Sequence, residues 1–148
     1  MSPDFSELLQ CLESCEVEYL VVGGYSVMTY AEPRFTKDID IWVRPEAQNA
    51  QRVYRALAQF GAPLQDVVVD DFVREGYAFQ IGVFPVRVDI LMSVDGLTFK
   101  DAWPNRVRID FGGIQAWVIG RADLIANKRA CGRPQDLLDL EALERHRE

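Results

Sequence analysis

The run Asp38-Ile39-Asp40-Ile41-Trp42-Val43 constrains this chain more than any other segment. Side chains alternate faces along a strand, so Asp38 and Asp40 point one way and Ile39 and Ile41 the other. Carboxylates are rarely set among large apolar neighbours unless they are paired or bind a metal. Two so close repel and raise each other's pKa until something neutralises them. The alternative is an edge strand with a solvated polar face, but that would also leave Trp42, on the same face, in water. Mg²⁺ suits the spacing, because it takes one or two carboxylates, substrate phosphates and water.

Two further features belong with this pair. The apolar run Tyr19-Leu20-Val21-Val22 ends at Gly23-Gly24, fourteen residues before Asp38. A strand that enters a helix through two glycines lets backbone approach a ligand closely and leaves helix N–H groups free for phosphate. Ser26 adds a hydroxyl there. Asp89 stands in a second apolar run, residues 86–91. An ion pair with Arg87, two residues away on the same face, is one reading of it. Its likeness to the first run favours another: sharing a metal and taking the proton of an attacking hydroxyl.

Composition narrows the classes. One domain over residues 1–148 is expected, and 49% hydrophobic against 26% charged residues excludes a disordered chain. The sole histidine, His146, lies at the end of the chain, which excludes histidine-based triads and histidine-rich zinc sites. Three cysteines, Cys11, Cys15 and Cys131, make no paired framework and fit a reducing compartment. Cys11 and Cys15 read as packing residues on a helix. No apolar run is long enough to span a membrane and no signal sequence is visible, so a cytoplasmic protein without membrane contact is expected. A net charge of −7 argues against a large nucleic-acid footprint. Yet Arg121, Lys128, Arg129 and Arg133 gather within residues 121–133 against the single Asp123.

Periodicity predicts helices over residues 3–15, 25–30, 46–60, 121–130 and 134–145. The last is given Leu137, Leu138, Leu140 and Leu143 as its apolar stripe. Strands are predicted over 18–22, 38–43, 67–69, 79–81 and 86–91. Residues 106–111 and 114–118 form a hairpin around Gly112-Gly113. The fold class is α/β (α+β), a mixed sheet with helices packed on it.

The order Val22-Gly23-Gly24, thirteen residues, Asp38-Ile39-Asp40-Ile41, then Val88-Asp89-Ile90 resembles the signature of the nucleotidyltransferase superfamily. The tail, Asp123-Leu124-Ile125-Ala126-Asn127-Lys128 and Gly132-Arg133-Pro134-Gln135-Asp136-Leu137-Leu138-Asp139-Leu140, is similar to the end of its small members. Those include AbiEii-like toxins and aminoglycoside and lincosamide nucleotidyltransferases. The resemblance implies transfer of a nucleoside monophosphate from a nucleoside triphosphate to a hydroxyl acceptor with two Mg²⁺ or Mn²⁺ ions. Asp38 and Asp40 would hold both metals and Asp89 one. Lys128 and Arg133 would take the β- and γ-phosphates, with solvated helix charges as the alternative. Arg34 and Thr36 would orient the loop before the acids. The acceptor is left open among protein, RNA and small molecule, and a partner protein, as in a toxin–antitoxin or phage-defence pair, is a further implication. A non-catalytic interaction protein that keeps the fold is the competing reading. A dinucleotide-binding fold is disfavoured, since Gly23-Gly24 lacks the G-x-G-x-x-G pattern.

Overall fold

The computed structural model describes residues 3–33, 36, 38–82 and 87–146. Arg34, Lys37 and Val86 lie outside these, so the role expected of Arg34 is not addressed.

Six strands form one mixed sheet. They are β1 (Tyr19–Val22), β2 (Asp38–Val43), β3 (Ala78–Ile81), β4 (Arg87–Leu91), β5 (Val107–Phe111) and β6 (Ile114–Val118). Their spatial order is β3-β4-β2-β1-β6-β5. Pairs β2–β4 and β1–β6 run parallel, whereas β1–β2, β3–β4 and β5–β6 run antiparallel. The helices are α1 (Pro3–Ser14), α2 (Gly23–Tyr30), α3 (Ala47–Phe60), α4 (Phe99–Ala102), α5 (Arg121–Cys131) and α6 (Pro134–Arg145). Helix α1 packs against α3, and α5 against α6.

The central strands are buried because they carry little but apolar side chains. Tyr19, Leu20, Val21 and Val22 are all buried, as are Ile39, Ile41, Trp42 and Val43. Phe5, Leu8, Leu9 and Leu12 of α1 recur at helical spacing and close the same core. Cys15 is buried and Cys11 partly buried, and both are free thiols. Helix α3 stops at Gly61, whose left-handed φ of +94° only glycine adopts freely. Gly112 and Gly113 turn the β5–β6 hairpin with φ of +67° and +98°. Among the described residues no helix is long and apolar enough to cross a membrane.

Three expectations need correction. Residues 67–69 are not a strand; Val69–Val73 is a 3-10 helix. The Asp71 carboxylate accepts the Val68 N–H at 3.0 Å, a local bond that competes with any ladder, and Phe72 is buried beneath. Helix α4, continued by a 3-10 turn at Trp103–Asn105, was not predicted. Its Thr98 cap is ordinary, but one turn of helix is too short to show periodicity. Trp42, by contrast, is buried as the reading against a solvated edge strand requires: it lies beneath α4, edge-on to Phe99 with ring centres 5.1 Å apart. Finally, Leu137 and Leu138 of α6 are exposed, at 54% and 59%. The inward face of α6 is instead Asp136, Asp139, Leu140 and Leu143, at i, i+3, i+4 and i+7, with Leu140 half-buried.

Candidate active site

Strand register assembles the acids. Asp40 on β2 lies opposite Asp89 on the parallel strand β4. Gln80 on β3 lies opposite Asp89 from the other side. One face of the sheet therefore carries a transverse row, Gln80–Asp89–Asp40, and the next row pairs Arg87 with Asp38. A single sequence contains Asp38, Asp40 and Asp89, but only the parallel pairing of β2 and β4 makes neighbours of them.

Each acid is held differently. The Arg87 guanidinium donates to Asp38, Nε–Oδ1 3.3 Å and Nη2–Oδ2 3.5 Å. The alternative reading of Asp89 as an ion-pair partner of Arg87 is not what the structure shows. The reason is register: the cross-strand neighbour is closer than a residue two positions along the same strand. Asp89 accepts instead from the Gln80 amide, Nε2–Oδ1 2.9 Å. Among the described residues no ion pair is formed by Asp40. Burial pushes its carboxyl up to about 7, and the charge of Asp89, a hydrogen bond with Asp89 and the charge of Asp38 push the same way, opposed by Lys128.

The glycine turn is fitted to this acid. Gly23 has φ +67°, and a Cβ there would sit 2.1 Å from Asp40 Oδ2. A side chain is thus excluded twice, by backbone conformation and by Asp40. Gly24 is buried in the first turn of α2. Ser26 departs from expectation: its buried hydroxyl donates to the Gly23 carbonyl at 2.6 Å, within its own helix. Thr36 donates to the Asp38 carbonyl at 3.2 Å, tying the loop to the start of β2.

Lys128 and Arg133 stand across an open cleft of about 270 Å³ that Gly23, Asp40, Ser93 and Asp95 also line. Lys128 is not a solvated helix charge. Its Nζ lies 3.2 Å from Asp136 and 3.0 Å from Asp139, with side-chain exposures of 7%, 1% and 2%. Gly132, left-handed at φ +64°, ends α5, and Pro134 starts α6, so the turn folds α6 back onto Lys128. Asp136 also accepts from the Arg133 backbone at 3.1 Å and from its Nε at 2.7 Å. Burial pushes the Asp136 carboxyl up, but the Arg133 and Lys128 bonds outweigh it and hold it below its ordinary value. The rest of the Arg133 side chain is exposed to the cleft mouth.

Sequence reasoning missed Gln80, Asp136 and Asp139. The last two did leave a signal. They are acids spaced three apart on a helix that follows a lysine by one tight turn.

The sequence matches, over residues 4–145, a family described as nucleotidyltransferases of unknown function (DUF6036). The chain belongs to this nucleotidyltransferase family. No curated protein matches it in sequence. Among solved structures, the lincosamide antibiotic adenylyltransferase LnuA, lincomycin-bound, is similar at 16% identity and TM-score 0.62, over 97% of this chain and 96% of that one. The enzyme ANT(2")-Ia, in complex with adenylyl-2"-tobramycin, is similar at 10% identity and TM-score 0.62, over 94% and 84%. An antigenic nucleotidyltransferase-like protein from Paracoccidioides brasiliensis follows at 15% identity and TM-score 0.52, over 94% and 71%. At such identities the likeness is one of fold, and it agrees with the mixed sheet and packed helices expected from sequence.

The donor set can be tested against a divalent ion. Among the described residues no three His, Cys, Asp or Glu side chains converge into a ready-made cage. Mg²⁺ needs fewer, since phosphates and water complete its shell. Asp40 and Asp89, opposite one another on adjacent strands, supply two carboxylates, and Asp40, raised by burial and then by the charges of Asp89 and Asp38, is a group whose ionised form a cation would favour. The residues present therefore fit such an ion.

Proposed function

We propose that this nucleotidyltransferase moves a nucleoside monophosphate from a nucleoside triphosphate to a hydroxyl acceptor in a reaction dependent on Mg²⁺ or Mn²⁺. The observation that carries the reading is the row Asp40–Asp89, pressed against the Gly23 turn. Asp38, Asp40 and Asp89 would hold the metal. A divalent ion there supplies charge neutralisation for phosphate oxygens.

The chain's own groups do the remaining work. Backbone at Gly23 and Gly24 opens α2 toward the phosphates, with Ser26 bracing that turn rather than touching them. Lys128 and the exposed end of Arg133 face the β- and γ-phosphates from across the cleft. The acceptor oxygen forms a bond to the α-phosphorus, the bond to pyrophosphate breaks, and Asp89 takes the hydroxyl proton. Positioning and charge neutralisation account for catalysis of this kind.

The acceptor is best sought first among small hydroxylated molecules. LnuA and ANT(2")-Ia, of the same fold, are crystallised with lincomycin and an adenylylated tobramycin. A thermal-shift screen of the four triphosphates with Mg²⁺ and Mn²⁺ comes first. A ligand at a hundred times its Kd stabilises by about 2.7 kcal/mol. Labelled transfer onto amino sugars, RNA and proteins follows. Failure to bind any triphosphate with either metal would sink the reading.

A second reading rests on Leu137 and Leu138, exposed side by side on α6. It is a non-catalytic protein that binds a partner chain through this helix. Under it, changes at Asp38 and Asp40 leave the biological effect intact, whereas polar residues at Leu137 and Leu138 abolish it.

A further inference from the structure

Arg87 sits where a catalytic metal's charge is wanted. Its guanidinium bridges both oxygens of Asp38 at 3.3 and 3.5 Å. Asp38 and, at longer range, Asp89 and Asp40 all stabilise its charge. Lys128, which acts on Asp40 from across the cleft, is held by Asp136 and Asp139, and Arg133 is bonded to Asp136. Among the described residues Arg87 is the cation paired directly with one of the sheet acids.

Two features make this contact exchangeable. Both distances lie at the long end of hydrogen bonding. The Arg87 and Asp38 side chains are 40% and 34% exposed, so water can replace either partner. Asp89, by contrast, is held by Gln80, a neutral amide that orients a carboxylate without competing for a cation's place.

We propose that Arg87 is a displaceable counter-ion. It neutralises Asp38 in the metal-free protein, leaves when a divalent ion arrives, and then binds an anionic oxygen of the incoming triphosphate. This rests on the nucleotidyl-transfer reading. A guanidinium freed from Asp38 carries five donors in a planar fork, the geometry that phosphate accepts. The swap gives an order to binding: metal first, then a nucleotide that finds both the ion and a released arginine.

The test separates the two halves of the swap. Mn²⁺ is titrated calorimetrically into wild-type protein and into Arg87→Gln without nucleotide. Each triphosphate is then titrated at saturating Mn²⁺. The expected result is opposite shifts. Mn²⁺ binds Arg87→Gln about two- to fivefold tighter, the equivalent of losing one exposed ion pair. Triphosphate binds about tenfold weaker, the loss of one charge-assisted contact. Arg87→Lys, which keeps the charge and loses the fork, falls between on both counts and serves if the glutamine variant does not fold. A residue that only braces the sheet would weaken both ligands or neither, and either outcome overturns the proposal. So does tighter Mn²⁺ with unchanged triphosphate affinity. Wild-type protein that binds neither Mn²⁺ nor triphosphate overturns the nucleotidyl-transfer reading itself, and the swap with it.

Discussion

The aspartates on the sheet and those on α6 are the same chemical group held on opposite terms. On α6, Asp136 and Asp139 are all but inaccessible, and Lys128 and Arg133 match them charge for charge. On the sheet, Asp38, Asp40 and Asp89 are partly accessible, and among the described residues only Asp38 has an ion pair, with the half-exposed Arg87, while Lys128 acts on Asp40 from across the cleft. A buried charge survives only if it is paired, so the helix cluster is balanced. An imbalance is tolerated only where water still reaches, and it persists most simply where something positive is meant to bind. The difference separates a lock from a site more clearly than acid content does, since both regions are acidic.

That contrast can be broken first at its strongest point. Lys128→Met leaves two buried carboxylates without their ammonium, and should cost about 3–5 kcal/mol of stability. Denaturant melts in chelator read it directly. A loss near zero would mean the α6 acids are as loosely held as the sheet acids, and the distinction collapses.

Gly23→Ala comes next. Its Cβ would meet Asp40 Oδ2 at 2.1 Å from a left-handed backbone. The expected cost is about 1–3 kcal/mol, with loss of transfer as Asp40 is displaced. Wild-type activity in this variant would show that the close approach of turn and acid is incidental.

Asp40→Asn should behave in the opposite sense to Lys128→Met. Removing one of the crowded charges preserves or raises stability in chelator by about 0.5–1 kcal/mol while abolishing metal-dependent nucleotide binding. Its pH dependence follows from the raised carboxyl. The folded protein binds this proton more tightly than the unfolded chain, whose carboxyl has the ordinary value of 3.8. The wild-type stability it contributes is full below 3.8 and is lost as pH rises through about 7. The variant should therefore gain on wild type across that window, and wild-type metal affinity should rise over it. A variant that melts well below wild type at every pH would make Asp40 a structural partner like Asp136.

The smallest effect is expected at Gln80→Leu. Asp89 loses one neutral donor near the surface, so stability should change by no more than about 0.5 kcal/mol. If the amide orients Asp89, single-turnover transfer slows severalfold with nucleotide affinity unchanged. An unchanged rate would leave Gln80 a bystander on an edge strand.

Much of this was legible in the chain, and the reasons differ by element. Periods of two and of three to four residues fixed the strands β1, β2 and β4 and the helices α1, α3 and α5 to within a few residues, because each buries one or both faces completely. Gly23-Gly24 and the paired aspartates stood out because they break that apolar pattern. Helix α4 and the 3-10 segment at Val69–Val73 did not, because single turns held by local side-chain bonds carry no period. On α6 the leucine spacing pointed to the wrong face, because periodicity counts apolar residues and cannot see a lysine on the neighbouring helix.

By itself the sequence determined which residue types the cleft contains: a glycine turn, three sheet acids, and a lysine and an arginine on the last helical pair. These follow from local pattern and from resemblance to a family. Only the tertiary structure decided their partners. Parallel pairing of β2 and β4 set Asp40 against Asp89 and Arg87 against Asp38. The fold-back of α6 buries Lys128 between two carboxylates, where the alternative reading had a solvated helix charge. The physical reason is that the strength and sign of an electrostatic contact depend on distance and burial, and both are set by segments far apart in the chain.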